Sequence, residues 1–296
     1  MAYRDGLETN PQRLEFETLT AQHFIGTDGV TPDFLSSCTG ERQFRNGDAV
    51  LDRWSFRKRF GSGGPVVLPV IHVLTSENTE ENMRVAFGEG ATGVFLINHD
   101  FDVETFLPII EHARKTLMDA WIGVNFLAVT GEHAFPKLGA LSAEGIEINA
   151  YWADDARIDE RVETQTEAAT ISRVREKSGW AGLYFGGTAF KKQRHVEPGD
   201  YDRSATIAER YMDIVTTSGP ATGKAADATK ITTFRDALGD HPLALASGVT
   251  PENAETYHEV DAFLVATGIN FEGDFYSIDA KRLAKLMRVC ERMSGG

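Results

Sequence analysis

The sequence predicts a (β/α)8 barrel, and three observations carry that expectation. Apolar runs of strand length alternate with helix-forming stretches eight times, roughly one unit every 30 residues, as such a barrel requires. The last two predicted strands, 243–246 and 262–266, each end on a small residue followed by glycine: Ser247-Gly248 and Thr267-Gly268. In these barrels the loops after strands 7 and 8 commonly form a phosphate site. The length, 296 residues, suits one barrel with an extension. A doubly wound open sheet is the rival. It needs fewer strands, and its phosphate signature would follow strand 1, where Leu74-Thr75-Ser76-Glu77 holds no glycine.

Residues 1–53 read as an irregular N-terminal extension and 54–296 as the barrel. The extension is polar, with turn signals at Gly26-Thr27-Asp28-Gly29, Thr39-Gly40 and Asn46-Gly47. Its Phe16, Phe24, Phe34 and Phe44 predict packing as a lid, a plug under the barrel or an oligomer arm. Residues 54–60 form a short helix stopped by the glycines at 61–64. Strand 1 is 66–74, an apolar branched run suited to a buried parallel strand. Ser76 caps a helix over 77–90. Strand 2 is 93–97, its helix 103–118. Strand 3 is 121–127, followed by a helix interrupted at Pro136. Strand 4 is 145–150, its helix 164–177. Strand 5 is 182–185, with helix 205–211. Strand 6 is 213–216, with helix 227–238. After strand 7, Thr250 caps a short helix with Pro251 in its first position. After strand 8, Asp279 caps a last helix in which Leu283, Leu286, Met287 and Cys290 recur at helical spacing.

Composition narrows the function. The net charge of −14, from 44 acidic and 30 basic residues, excludes a general binder of nucleic acid or of anionic membranes, which needs a basic face. Cys38 and Cys290 have no neighbouring cysteine, so no disulfide framework or zinc motif is expected. No apolar leader and no run of about 20 apolar residues is present, and a cytoplasmic protein is expected.

Polar groups at the C-terminal strand ends of a barrel face its active site. Here they are His72, Asn98, His99, Asp100, Asn125, Asn149 and Trp152, then Lys191 and Lys192, Thr217, Ser218, Thr222 and Lys224, and finally Ser247 and Thr267. Asn98, Asn125 and Asn149 stand in otherwise apolar runs. A buried amide needs hydrogen-bond partners, so each either serves the site or ties down a neighbouring loop. His72 is a rim residue or a catalyst. His99-Asp100 is half of a metal site with no second histidine at a supporting spacing, so no metal is expected. Lys191-Lys192-Gln193-Arg194 is a basic cluster in an acidic chain, either solvated or a contact for phosphate or carboxylate. The glycine-rich run 218–223 offers a further anion contact. No nucleophile elbow, Walker loop or dinucleotide fingerprint occurs, which leaves acid–base or electrostatic chemistry without a cofactor.

The succession Val70-Ile71-His72-Val73, Gly123-Val124-Asn125-Phe126-Leu127, the run 217–224 and the run 246–253 resembles the BtpA family, as does the ending Val265-Ala266-Thr267-Gly268 with Asp279-Ala280-Lys281-Arg282. The likeness spans about residues 54–296 and leaves out the extension. It implies a barrel of the ribulose-phosphate-binding type without a settled reaction; members are associated with photosystem I accumulation or with sugar-metabolism genes. Asn98, Asn125, Lys191 and the Ser247-Gly248 turn match. Two family positions that usually hold acids are Ile97 and Gly187 here.

The expected function is an enzyme acting on a phosphorylated sugar or nucleotide-like molecule by isomerase, lyase or glycosyl-transfer chemistry. Its phosphate would lie against Ser218, Gly219, Thr222, Ser247, Gly248, Thr267 and Gly268. Lys191, Asn98, Asn125, Asn149 and His72 would surround the reacting part. A homo-oligomer is expected, with no nucleic-acid or membrane partner. The alternative is a non-catalytic assembly or stability factor on the same scaffold.

Overall fold

The computed structural model describes residues 51–295. Phe16, Phe24, Phe34 and Phe44, with residues 1–50 of the expected extension, lie outside the described residues.

The chain closes eight parallel strands into a barrel in sequence order, with the first strand paired to the last. The strands are β1 (Val66–Val73), β2 (Val94–Asn98), β3 (Ile122–Asn125), β4 (Ala150–Ala153), β5 (Leu183–Gly187), β6 (Ile214–Ser218), β7 (Leu243–Ala246) and β8 (Ala262–Val265). Around them run α1 (Arg53–Arg59), α2 (Ser76–Gly88), α3 (Val103–Thr116), α4 (Gly131–Ala143), α5 (Thr166–Ser178), α6 (Tyr201–Ala208), α7 (Ala228–Leu238) and α8 (Ala280–Arg292). Among the described residues no helix is long and apolar enough to cross a membrane.

Strand residues alternate between two apolar layers, as the period of two demands. Val66, Leu68 and Val70, Phe95 and Ile97, Ala150 and Trp152, Phe185, Ala244, Ala246 and Leu264 fill the lumen. Val67, Ile71 and Val73, Leu96, Val124, Tyr151, Val215 and Phe263 face the helices. Gly123 leaves room for a lumen ring: a Cβ there would stand 2.3 Å from Phe95. The helix α1 closes the N-terminal end, with Phe56 edge-on to Phe185 and Phe60 edge-on to Trp121.

The expected architecture holds, with five corrections of detail. Strand 4 is 150–153 rather than 145–150: the alternating Ile146 and Ile148 imitate a strand but form its buried approach. Pro136 does not interrupt α4, which runs through it from Gly131 to Ala143 at the loss of one backbone hydrogen bond. Helix α6 occupies 201–208 instead of 205–211. After β7 there is no α-helix at Pro251. Asn253 Oδ1 accepts from the Thr250 N–H and Thr250 Oγ1 from the Glu252 N–H, which closes turns leading to a single 3-10 turn, Ala254–Tyr257. The caps of α2 and α8 are Thr75, one residue before the expected Ser76, and Asp279 as expected.

Candidate functional site

A cavity of about 410 Å³ opens at the C-terminal ends of the strands. Val70, Ile97, Trp152 and Leu264 carry the apolar lumen up to its floor. Three walls of different chemistry rise from that floor.

The first wall is aromatic. His72 continues the lumen-facing register of β1 and is stacked by Phe275 from the loop after β8. His99 stands edge-on to it at 4.7 Å. Burial, with a smaller push from His99 and the two lysines, lowers His72 to about 4, so the ring is neutral. Its Nδ1 lies 2.8 Å from the Phe275 carbonyl, so the neutral ring donates there and keeps Nε2 as its acceptor. Tyr276 fastens this loop to β2 through its hydroxyl on Asp100, and Asn82 holds the Tyr276 carbonyl and the Ile278 N–H. Asp100 of the expected half metal site is thereby engaged.

The second wall is charged. Asp154 stands two residues beyond Trp152 and is only 7% exposed. Asn125 donates to its Oδ1 at 3.1 Å, and Lys192 Nζ lies 3.9 Å from its Oδ2. Burial raises the Asp154 carboxyl above the usual range, against the pull of Lys192 and Asn125. Burial lowers Lys191, against the pull of Asp154. Gln193 fixes this lysine loop by donating to the carbonyls of Gly187 and Asp154. Ser218 Oγ accepts from the Lys191 N–H. Beneath the loop, Lys230 of α7 donates to the carbonyls of Ala189 and Ser218; burial lowers it to about 8.

The third wall is built from turns: Thr222 after β6, Ser247, Gly248 and Val249 after β7, and Thr267 and Gly268 after β8. The N–H groups of Gly248, Val249, Thr267 and Gly268 donate to no group among the described residues. Ser247 has φ +85°, a region costly for any side chain, and Gly248 follows at +77°. Packing between backbones requires the glycines. A Cβ on Gly248 would lie 2.0 Å from the Lys224 carbonyl oxygen, and one on Gly268 1.9 Å from that of Val249. Gly219 meets the same Lys224 carbonyl at 2.2 Å. Gly248 and Gly268 are small because neighbouring loops touch there, and Gly219 because its own loop folds back on it, whether or not an anion binds.

Of the residues expected at the site, His72, Lys191, Thr222, Ser247, Gly248, Thr267 and Gly268 line one cavity. Asn125 reaches it through Asp154. Asn98 does not: it follows lumen-facing Ile97, so it points outward, where it donates to the Phe101 carbonyl and accepts from the Leu127 N–H. Asn149 lies before β4, at the opposite end of the barrel, accepting from Arg114 and the Ile122 N–H. Both tie down loops. Ser218 and Gly219 do not line the cavity: Ser218 Oγ accepts from the Lys191 N–H, and Gly219 lies against the Lys224 carbonyl. Asp154 and Lys230 are additions. Asp154 was within reach of the sequence, two residues on from Trp152 in a strand of period two; Lys230 carried no local signal.

No family model matches this chain, and no curated protein does. Solved structures do resemble it. The tryptophan synthase alpha chain from Legionella pneumophila subsp. pneumophila is 15% identical, with a TM-score of 0.57 over 83% of this chain and 100% of its own. The native KDPGal structure is 12% identical, TM-score 0.53, over 77% and 95%. The (S)-3-O-geranylgeranylglyceryl phosphate synthase from Thermoplasma acidophilum, solved with sn-glycerol-1-phosphate, is 12% identical, TM-score 0.51, over 81% and 98%. At these identities the likeness is one of fold: the chain is a (β/α)8 barrel of the shape these enzymes share.

Proposed function

We propose that the chain is an enzyme acting on a phosphorylated small molecule, a ribulose-phosphate-type barrel as the BtpA resemblance implies. The observation that carries this reading is the third wall: four N–H groups on two adjacent turns that have no partner among the described residues, across one cavity from Lys191 and Lys192. Successive backbone N–H groups in turn conformations form anion-binding concavities. The phosphate lies on the turns after β7 and β8, and the rest of the molecule spans toward Asp154 and Lys191. Charge developing on an oxygen there meets an ammonium in a cavity with an apolar floor, where electrostatic stabilisation is strong. The synthase neighbour solved with sn-glycerol-1-phosphate supports the same ligand chemistry on this fold. A scaffold protein without catalysis would have no use for a carboxylate and two lysines around one buried cavity.

A thermal-shift series with inorganic phosphate, sugar phosphates and their dephosphorylated forms tests the reading. A ligand at 100 times its Kd adds about 2.7 kcal/mol of stability. Stabilisation by the phosphorylated forms alone is expected, weakened more by Lys191→Ala than by the more exposed Lys192→Ala. Equal response to both forms, or a soaked phosphate lying away from Gly248 and Gly268, would overturn it.

A further inference from the structure

We propose that Asp154 takes up and releases a proton on the bound substrate, and that Asn125 is its positioning residue in both protonation states. Two features meet here. Asp154 is a buried carboxyl that lines the cavity, and its one ion pair among the described residues is the long contact of 3.9 Å with Lys192. Asn125, only 1% exposed, donates to it through Nδ2 while its own Oδ1 has no partner. Buried amide oxygens are almost always satisfied, so an orphan calls for an account. The two ends of a side-chain amide are nearly the same size. A half-turn of the Asn125 amide would offer Oδ1 to the hydroxyl of a protonated Asp154. The orphan acceptor is then the half of the amide that the neutral acid uses.

The groups facing Asp154 fit that role. Lys192 at 3.9 Å and Lys191 come from the loop after β5, Asn125 from β3, and Tyr151 and Asp155 from its own segment. The carboxylate takes a proton from an O–H, or from a C–H beside a carbonyl, and the electron pair remains on the substrate, its charge on an oxygen facing Lys191. Returning the proton to another atom of the same molecule completes a redox-neutral rearrangement that needs no co-reactant. The fitting substrate class is a phosphorylated compound with a hydroxyl beside a carbonyl. The phosphate rests on the reading above; the proton-carrying pair does not.

The test uses the full chain without ligand. With carboxyl-13C aspartate, the resonance missing from Asp154→Asn is followed through a pH titration. It is expected to titrate above the exposed aspartates. The side-chain NH2 signal of Asn125, identified by its loss in Asn125→Leu or in the milder Asn125→Ser, is expected to shift with the same midpoint. A phosphate-binding failure would leave both results untouched. Titration of Asp154 together with the exposed aspartates, or an Asn125 signal that stays flat through the Asp154 midpoint, overturns the proposal.

Discussion

The ring of Phe275 lies on the imidazole of His72, centroids 3.7 Å apart and planes inclined by 22°, while the Phe275 carbonyl takes the hydrogen bond of the same ring. One residue of the loop after β8 thus desolvates the histidine and fixes its tautomer. Because the folded value, about 4, lies below the ordinary 6.5, the neutral ring favours folding above the unfolded value, and that stability is lost as pH falls from about 6.5 to 4. The full shift corresponds to something on the order of 3 kcal/mol. Phe275→Ala should open the ring to water and raise its midpoint toward 6.5, read from the imidazole proton resonance of His72. An unmoved midpoint would show that the barrel rim, not Phe275, buries it.

Ser247 should reverse the usual order of glycine and alanine. Both Ser247→Gly and Ser247→Ala lose the bond from Oγ to the Ala221 carbonyl, so their difference isolates the backbone. At φ +85° alanine keeps the strain and glycine sheds it, by about 1 kcal/mol or more. Ser247→Gly is expected to melt higher than Ser247→Ala. Elsewhere the loss of glycine's unfolded-state freedom would give the opposite sign, by about 0.4–1 kcal/mol.

Asp261 should be the costliest single acid to remove. It is fully buried before β8 and takes Arg53 and Arg57 of α1 at 2.8 Å, Arg235 of α7 at 2.9 Å and the Leu243 N–H at 2.9 Å. Asp261→Ala leaves three guanidiniums against one another at the barrel's closed end. Breaking a buried pair by removing one partner costs about 3–5 kcal/mol. Urea unfolding is expected to show a loss of that size, whereas Glu80→Ala, on an exposed pair with Arg84, should cost under about 1 kcal/mol.

Asp154→Asn should stabilise the protein at neutral pH. A carboxyl raised in the folded state holds its proton more tightly there than in the unfolded chain, so stability falls as pH rises above the unfolded value, near 3.9. The asparagine avoids that loss. The expected gain in Tm is present at pH 7 and vanishes as the pH drops below the unfolded value. A lower Tm at pH 7 would mean that Lys192 and Asn125 fully compensate the buried charge.

The barrel was legible because its strands, buried on both faces, are apolar runs that need no partner to be seen. The site was legible only in part. His72, Lys191 and the small-glycine turns line the cavity because they sit at or just past the C-terminal ends of strands that the apolar runs place to within about two residues. Asn98 and Asn149 misled for two different reasons. Asn98 is one residue out of register with lumen-facing Ile97, and that single step puts it on the helix side. Asn149 followed from a strand set five residues early on Ile146 and Ile148, which also hid Asp154. Lys230 lies on a helix, and only the closed fold brings it under the loops after β5 and β6.

The glycines of the rim have a consequence for anyone exchanging its loops. Gly187 abuts the Asp154 carbonyl, Gly219 and Gly248 that of Lys224, and Gly268 that of Val249, all nearer than any methyl group could stand. The end of β5 and the turns after β7 and β8 are therefore each moulded on the backbone of the preceding segment, like overlapping tiles laid in one direction round the mouth, while the loop after β6 closes on itself at Gly219. A segment transplanted here from another barrel would meet foreign tiles on both sides. The segments after β6, β7 and β8 form one heritable block, to be moved together or left in place, and the segments after β2 and β3 belong to it as well, joined to each other through the side chain of Asn98 and to the loop after β8 through Asp100 and Tyr276.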